Sequence, residues 1–446
     1  MSALKKILKW LAYTALLVLV IAFCLVGPID HTPLKDQAFY QRMMQSLDTL
    51  KLKESKKAPV KVGWSKFNLL PAYEMPMAGY TPKDKYESIH DSVFCRIISI
   101  EQGTQKIAII SVDLLLFPPI IKERLQQKLK QQNKDYFLYL SATHTHSSIG
   151  GWDDSAISKF TTGKFHDEWV DNTVNKILAN IEAAIKSSRK ASFHYWEANA
   201  DEFVENRLDG INGKVDGIIR GIKFTRADSA SGILVTYSGH ATNVDLLSRI
   251  ISGDYPSALN LKLENKNTFS IFLVGMVGSH RLKGFDGTDF ERIEKAADTL
   301  SEKIDHPQKD LEMDSVSITA KHIPIQFGPS QLRIEKKWKV RNWVFSSLIG
   351  SLQGEITYLK IGNIIMMGTP CDFSGEIFVN QKWDSLTALK KEHLILTSFN
   401  GNYTGYITED SYYPKGNEEE IMALNWVGPY YGQYYSDMIR KLLEKN

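Results

Sequence analysis

Two histidines in the stretch 141–151 are the residues best suited to do chemistry. His144 and His146 stand in the sequence SATHTHSSIGG, directly after the apolar run 136–140, which predicts a buried strand. On an extended chain, residues i and i+2 point to the same side. The pattern therefore predicts two imidazoles serving one site, one as a metal ligand and the other free to donate or accept a proton. An exposed histidine-rich loop is the alternative, because this spacing is common.

Further polar candidates follow predicted strands or lie in a tyrosine-rich motif. Each has an ordinary structural role when taken singly: a hydrogen-bonded histidine at a strand end, an aspartate in a turn or helix cap, or a core tyrosine. Two histidines and one carboxylate together, however, are a usual catalytic zinc set that leaves a position open for water. The candidates are His240, Asp372, Asp113 and Tyr406.

The elements that must position these residues alternate between strand and helix patterns. Several candidates follow the carboxyl ends of strands, where α/β folds place their sites. The sequence therefore predicts one large α/β domain over residues 59–446. The predicted strands are 60–64, 92–100, 106–112, 136–140, 191–196, 217–224, 233–237, 270–277, 315–327 and 354–367, and the predicted helices are 120–132, 167–187, 255–263 and 290–304.

Composition excludes several classes of protein. The chain has 446 residues, of which 43% are apolar and 24% charged, and this is ordinary for a globular protein with a large core. A formal net charge of +3 gives no argument for nucleic acid. Three cysteines cannot form a disulfide framework. Cys24 lies in an apolar run, which leaves Cys95 and Cys371 as one possible pair or two free thiols.

The N-terminus has the layout of a signal anchor. Lys5, Lys6 and Lys9 precede the uncharged apolar run 10–27, which is about as long as the ~17–25 residues that span a bilayer. We favour an uncleaved transmembrane segment over residues 1–28, with a cleaved signal peptide as the alternative. The positive-inside rule then places the rest of the chain outside the cytoplasm, in a periplasm or at a cell surface. The polar, lysine-rich residues 29–58 have a helical pattern around Phe39, Met43, Met44 and Leu47 and are interpreted as a juxtamembrane stalk or helix.

The segment 333–343 (RIEKKWKVRNW) combines five Lys or Arg residues with two tryptophans. Apolar residues follow it directly. Basic residues beside interfacial aromatics favour contact with anionic lipid near the anchor. A solvated amphipathic helix lying over the core is the alternative interpretation.

The order of motifs along the chain resembles that of the neutral/alkaline (non-lysosomal) ceramidase family. The signature T-H-T-H-S-x-x-G-G is similar to residues 143–151, and P-G-E-F-T is similar to the sequence PCDFS at 370–374. The further matching segments, in order, are 62–64, 77–80, 111–113, 206–207, 215–216, 237–242, 251–254, 403–408 and 427–429.

This resemblance implies a zinc-dependent amidohydrolase with mixed β-sheets packed between layers of helices. It implies that His146 contacts the scissile amide and trades protons with it, and that Arg207 lies near the substrate head group. Zinc lowers the pKa of its water to about 7, so that hydroxide can attack a carbonyl. The zinc ligands implied are His144, His240, Asp372 and Tyr406.

The chain departs from the family pattern in three places. Asp372 stands where the family has glutamate, so the carboxylate is one methylene shorter. The family's active-centre serine is not matched in the loop 278–282, where Ser279 is one candidate replacement beside His280 and Arg281. We also expect a short form without the family's C-terminal β-sandwich domain.

The sequence thus predicts a membrane-anchored zinc hydrolase that cleaves the N-acyl amide of ceramide or a related N-acyl lipid. One alternative is a binding or scaffold protein of the same fold that has lost turnover, because the loop 278–282 is altered. Another is a hydrolase of a non-sphingolipid amide or an ester.

Overall fold

Two β-sheets stack face to face, and helices cover the outer face of each. The computed structural model describes residues 2–80, 83–307, 309–416 and 418–445. The α-helices are α1 Ser2–Leu25, α2 Ala38–Thr49, α3 Pro119–Gln131, α4 Ser158–Thr161, α5 Asp167–Lys186, α6 Asp254–Glu264, α7 Asp289–Asp305, α8 Asn342–Leu348, α9 Gly375–Asn380, α10 Trp383–Leu389 and α11 Tyr431–Glu444.

The strands are mostly short and pair into the two large sheets and several small ribbons. They are β1 Val26–Pro28, β2 Val60–Asn68, β3 Met77–Gly79, β4 Ser88–Ile89, β5 Phe94–Gln102, β6 Gln105–Val112, β7 Phe137–Ala142, β8 Ser147–Ile149, β9 Arg189–Asn199, β10 Val204–Asn206, β11 Ile218–Arg226, β12 Ser231–Tyr237, β13 Ile250–Ile251, β14 Phe269–Val274, β15 His280–Leu282, β16 Lys309–Met313, β17 Ile318–Pro324, β18 Arg333–Glu335, β19 Trp338–Val340, β20 Glu355–Ile361, β21 Ile364–Gly368, β22 Asp372–Phe373, β23 His393–Thr397 and β24 Tyr406–Ile407.

The larger sheet has nine strands in the order β14-β12-β11-β9-β2-β5-β6-β7, with β16 added on β9. Its pairs are antiparallel except β6 with β7 and β12 with β14. Each parallel pair is joined by a helical crossover, α3 in the first case and α6 in the second, as parallel pairing requires. The sheet curls, so that β6 approaches β14 and the Ser111 hydroxyl donates to the Phe272 carbonyl at 2.6 Å. This curl brings the carboxyl ends of β7 and β12 toward each other.

The smaller sheet has four strands in the order β17-β20-β21-β23. Alternation along each strand divides its side chains between two cores. On β21, Ile364 and Met366 face the larger sheet, whereas Ile365 and Met367 face helices including α2 and α11. The outer face of the larger sheet packs in the same way against α3, α5, α6 and α7. The result is four layers, helix–sheet–sheet–helix, which confirms the predicted mixed α/β fold.

Two predicted segments have a different structure. Residues 29–58 were expected to form a stalk, but α2 buries Phe39, Met43 and Leu47 in the outer core of the smaller sheet, so this segment is part of the folded body. The single strand predicted over 354–367 is the hairpin of β20 and β21, which turns at Gly362 with a positive φ of 58°. Glycine adopts this backbone conformation without steric cost.

Helix α1 lies outside both cores, and its apolar side chains are exposed along its length. Residues Ala3–Leu25 are long and apolar enough to cross a membrane. By length and composition alone, a signal sequence near the N-terminus would look the same. The helix leads directly into β1, which pairs with β19.

Candidate metal centre

Three histidines converge at the carboxyl ends of β7 and β12. Nε2 of His144 lies 2.8 Å from Nε2 of His240 and 3.2 Å from Nε2 of His146. Candidate ligand atoms of all three residues lie within 4.8 Å of one another. The structure thus brings His144 and His146 together, and His240 joins them from 96 residues along the chain.

The backbone at His144 is not the extended chain that the spacing assumed. Its φ is +62°, in the left-handed region that costs a non-glycine residue of order 1–3 kcal/mol. Strand β7 ends at Ala142, and the chain turns here before β8 begins. The histidine pair thus converges through a strained turn rather than through the pleat of a strand.

Two of the imidazoles have a fixed tautomer. Nδ1 of His144 donates to the carbonyl of Leu115 at 2.5 Å, and Nδ1 of His240 donates to the carbonyl of Val277 at 3.2 Å. Because a carbonyl only accepts, both Nδ1 atoms carry the proton and both Nε2 atoms present lone pairs to the centre. The Nδ1 of His146 is buried and has no hydrogen-bond partner within the described part of the chain.

Asp372 and Tyr406 complete this group from paired strands. Strand β22 runs parallel to β24 with Asp372 opposite Tyr406. Oδ1 of Asp372 lies 3.5 Å from Nε2 of His144, and the Tyr406 hydroxyl lies 3.4 Å from Nε2 of His240. The other carboxylate oxygen of Asp372 accepts a hydrogen bond from Tyr403 at 2.8 Å. Oδ1 is buried and lacks a hydrogen-bond partner among the residues that the structure describes.

Burial sets the protonation of the centre. It lowers the pKa of His144 to about 3 and lowers the pKa values of His146 and His240 well below their usual range. It raises the pKa of Asp372 to about 7, although Tyr403 and Arg207 oppose this shift. The imidazoles are therefore neutral at physiological pH, which is the form that binds a cation.

These residues fit a metal ion. The Nε2 lone pairs of His144 and His240 face each other at 2.8 Å and repel unless a cation or proton lies between them. Histidine ligands whose opposite ring nitrogen donates to a carbonyl, together with an unpartnered buried carboxylate oxygen, form the usual donor set of a metalloenzyme. The centre could thus hold a metal ion through His144, His240 and Asp372, with His146 and Tyr406 within reach.

Arg207 lies beside this centre and is held there by an acidic partner. Its guanidinium pairs with the carboxylate of Glu420 and donates to the Tyr406 hydroxyl at 3.4 Å. It also lies over the Tyr406 ring, 5.5 Å from the ring centroid. Both charged side chains are mostly buried, with 18% and 15% exposed. The resemblance placed Arg207 near the site, but nothing in the sequence pointed to Glu420.

The side chains of Ser279 and Asp113 make no hydrogen bond to the three histidines among the described residues. The Ser279 hydroxyl is fully buried, bonds to the Ser374 hydroxyl at 2.6 Å, and does not line the cavity described below. The carboxylate of Asp113 accepts from the backbone amide of Phe94 at 2.8 Å, and burial raises its pKa to about 6. Asp113 therefore has the strand-end structural role that its position allowed.

A cavity of about 410 Å³ opens onto the centre. His144, His146, Asp372 and Tyr406 lie on its wall. The rest of the wall is largely apolar and aromatic, as in sites that bind small organic ligands. The side chains that sequence reasoning missed include Tyr80, Trp152, Phe160, Phe345, Phe399, Tyr403 and Trp426.

A family model confirms the resemblance seen in the motifs. The model described as "Neutral/alkaline non-lysosomal ceramidase, N-terminal" matches residues 62–272. This range includes all three histidines of the centre. The protein has a mixed α/β fold with a histidine-rich centre that could hold a metal ion, and the family match supports a hydrolase. Over residues 62–272 the chain is similar to the neutral/alkaline non-lysosomal ceramidase family.

Two solved structures have a similar fold. The neutral ceramidase of Pseudomonas aeruginosa is 17% identical and superimposes with a TM-score of 0.71, covering 87% of this chain and 75% of that one. A structure described as a ceramidase complexed with C2 is 16% identical and superimposes with a TM-score of 0.70. The match covers 86% of this chain and 75% of that one. At these identities the likeness establishes the fold.

Proposed function

We propose that the protein is a zinc-dependent amidohydrolase that cleaves the N-acyl amide bond of ceramide or a related N-acyl lipid. One observation carries the proposal: three neutral histidines, a carboxylate and a tyrosine converge at the wall of an apolar cavity. Nitrogen and oxygen donors of this kind suit zinc. An apolar cavity suits an acyl chain.

His144, His240 and Asp372 would hold the zinc, and Tyr406 would complete the set. Bound zinc supplies the Lewis acid that polarises the amide carbonyl and activates a water. Tyr403 orients Asp372 through its hydrogen bond, and the carbonyls of Leu115 and Val277 orient the two histidines. Such supporting contacts tune affinity for the metal.

His146 would carry the proton. Unlike the other two histidines, it has no carbonyl that fixes its tautomer among the described residues, so either ring nitrogen can take the proton. Its ring lies 4.7 Å from that of Tyr80, at the cavity wall. A positioned histidine can accept a proton from water and deliver it to the leaving amine.

Arg207 would contact the polar head of the substrate. Its charge is buried beside Tyr406 and balanced by Glu420, and its Nε has no hydrogen-bond partner among the described residues. This arrangement would orient the substrate with its polar head at Arg207 and its acyl chain along the apolar wall. Ser279 stays our candidate for the family's serine, and its hydroxyl contacts Ser374 and Nδ1 of His280.

The protein would act at a membrane, outside the cytoplasm. Helix α1 supplies the anchor, and the lysines that precede its apolar run would stay cytoplasmic. An anchored hydrolase next to a bilayer meets amphiphilic substrates at high local concentration.

The test uses the full chain in detergent. Bound zinc and hydrolysis of a fluorogenic N-acylsphingosine are measured for the wild type, for His144→Ala, and for His306→Ala, an exposed histidine at the end of α7. We expect about one zinc per wild-type chain, with zinc and turnover lost in His144→Ala and kept in His306→Ala.

Other outcomes separate the alternatives. Zinc without turnover of N-acylsphingosine, but with turnover of another amide or an ester, would assign a different substrate class to the same zinc centre. Zinc without turnover of any substrate would favour a scaffold that has lost catalysis. No zinc in the wild type would refute the mechanism.

A further inference from the structure

We propose that the segment 334–348 docks on the lipid bilayer and that its inner side forms a wall of the cavity, so that a lipid substrate enters from the membrane. The inference rests on the proposed function for the identity of the substrate. The proposed contact with lipid does not depend on the proposed function. We call the exposed side of this segment the docking surface; it consists of Ile334, Lys336, Lys337, Trp338, Trp343 and Leu348.

The end of the membrane helix is bound directly to this segment. The last carbonyls of α1 have no partner within the helix and need one outside it. The Arg341 side chain donates to the Phe23 carbonyl at 2.8 Å, and its backbone amide donates to the Leu25 carbonyl at 2.9 Å. The Trp343 indole donates to the Cys24 carbonyl at 3.1 Å. The positive guanidinium also suits the negative end of the helix dipole.

The chain after α1 leaves no flexible spacer between membrane and body. Val26, Gly27 and Pro28 form β1 and pair with Val340, Lys339 and Trp338 of β19 in an antiparallel ladder. The point at which α1 leaves the hydrocarbon is therefore fixed at segment 334–348. This segment must lie at the level of the lipid head groups.

The docking surface has the chemistry that this level requires. Trp338 is 49% exposed and Trp343 is 56% exposed, and tryptophan concentrates at membrane–water interfaces. Ile334 and Leu348 add exposed aliphatic side chains. Lys336 and Lys337 are exposed beside them and would pair with lipid phosphates. A group of exposed apolar side chains at the end of a membrane helix marks an interaction site rather than a surface in contact with water alone.

The opposite side of the same segment faces the cavity. On α8, Phe345 is buried and packs its ring edge-on against Trp426, with centroids 5.6 Å apart. Phe345 lines the cavity that holds the histidines, as do Ile349 and Leu352, which follow the segment directly. Trp343 and Leu348 do not line it. One short helix thus separates the bilayer surface from the cavity, and a lipid needs to move only past its edge.

The contact with lipid is tested first, by a measurement that needs no activity. Full-length protein is reconstituted in phosphatidylcholine–phosphatidylglycerol vesicles whose acyl chains are brominated near the head group. Tryptophan fluorescence is compared between the wild type and Trp343→Phe. We expect that the part of the wild-type tryptophan fluorescence that is lost in Trp343→Phe is quenched by the brominated lipids. A component that brominated lipid leaves unquenched would refute docking.

The route of the substrate is tested with a surface variant. Trp343→Ser/Leu348→Ser is compared with Leu247→Ser/Leu389→Ser, which removes leucines that are 76% and 84% exposed elsewhere. We expect the first variant to lose about tenfold or more in kcat/KM on N-acylsphingosine embedded in the same vesicle, and to retain its rate on a water-soluble short-chain amide. The control should keep both rates.

Equal rates for both variants on embedded substrate, or an equal loss on both substrates in the first variant, would overturn the proposed route. If the wild type hydrolyses neither substrate, the proposed function fails, whereas the quenching result still decides whether the surface meets lipid.

Discussion

The hydroxyl of Tyr403 donates to Oδ2 of Asp372 at 2.8 Å, so that only Oδ1 of this carboxylate faces His144. Asp372 is shorter than the glutamate usual in the family motif, and its reach toward the metal therefore depends on how it is held. We predict that Tyr403→Phe lowers zinc affinity by about 10–100-fold, measured by competition with a chelator. Tyr136→Phe, which removes a tyrosine–glutamate hydrogen bond far from the centre, should leave the affinity unchanged.

We predict that substitutions of His146 and His144 have different effects on the metal content of the protein. His146→Gln should keep the zinc, because His144, His240 and Asp372 remain, and should lose about 10²–10⁴-fold in kcat through the missing proton carrier. His144→Ala should lose both. Zinc analysis and turnover of the same preparations check this, and loss of zinc in His146→Gln would make His146 a ligand.

We predict that zinc stabilises the folded protein. An ion that binds only the native state, supplied at 100 times its Kd, adds about 2.7 kcal/mol to the free energy of unfolding. Thermal unfolding of metal-free protein should therefore shift upward when zinc is added. The shift should be absent in His240→Ala and present in His306→Ala; an equal shift in both variants would place the binding elsewhere.

Glu355 gives a prediction about acid stability. Burial opposes its ionisation, but Lys122 at 2.9 Å and His322 at 2.8 Å outweigh burial and hold its pKa at about 2. A lowered native pKa contributes stability above the ordinary value of 4.5, and this contribution is lost as pH falls from there toward 2. Glu355→Gln should thus lower the free energy of unfolding by about 3 kcal/mol at pH 7 and by much less at pH 2. Denaturant titrations at both pH values test this, and an equal loss would contradict it.

Gly79 gives a prediction about packing. A Cβ at this position would lie 2.0 Å from the backbone carbonyl oxygen of His146, and backbone cannot move aside cheaply. Gly79→Ala should displace the histidine turn and reduce turnover by tenfold or more, a loss of about 1.4 kcal/mol in transition-state stabilisation. At Gly27, the nearest atoms to an added Cβ belong to the Arg341 side chain and lie at 3.6 Å, so Gly27→Ala is the matched control. Equal activity of the two variants would contradict this account.

Much of the fold was accessible from hydrophobic periodicity. Strands β5, β6 and β7 and helices α3 and α5 were predicted within a few residues, because alternation and helical spacing are local properties. The curl of the larger sheet was not, since it depends on contacts such as Ser111 with Phe272. The segment 333–343 was also not predicted, because strands β18 and β19 form only through pairing with each other and with β1.

Some residues of the candidate site could be predicted from the sequence, and others could not. The histidine pair was visible as a local motif, and the resemblance supplied His240, Asp372 and Tyr406, which the structure brings to one place. Glu420 was missed because it stands in an acidic run that looks solvated, and only its contact with Arg207 distinguishes it. The roles assigned to these residues stay predictions.

The centre also makes the folded state easy to verify. Its members come from the larger sheet and from the two-stranded sheet of β22 and β24, and Tyr406 meets His240 across 166 residues of chain. Contacts of such long sequence separation form late, after much of the chain has been ordered. A chain that has collapsed with one sheet misplaced would lack the complete donor set. Metal loading would therefore report on folding: only chains that have finished folding would acquire the ion and the activity that depends on it.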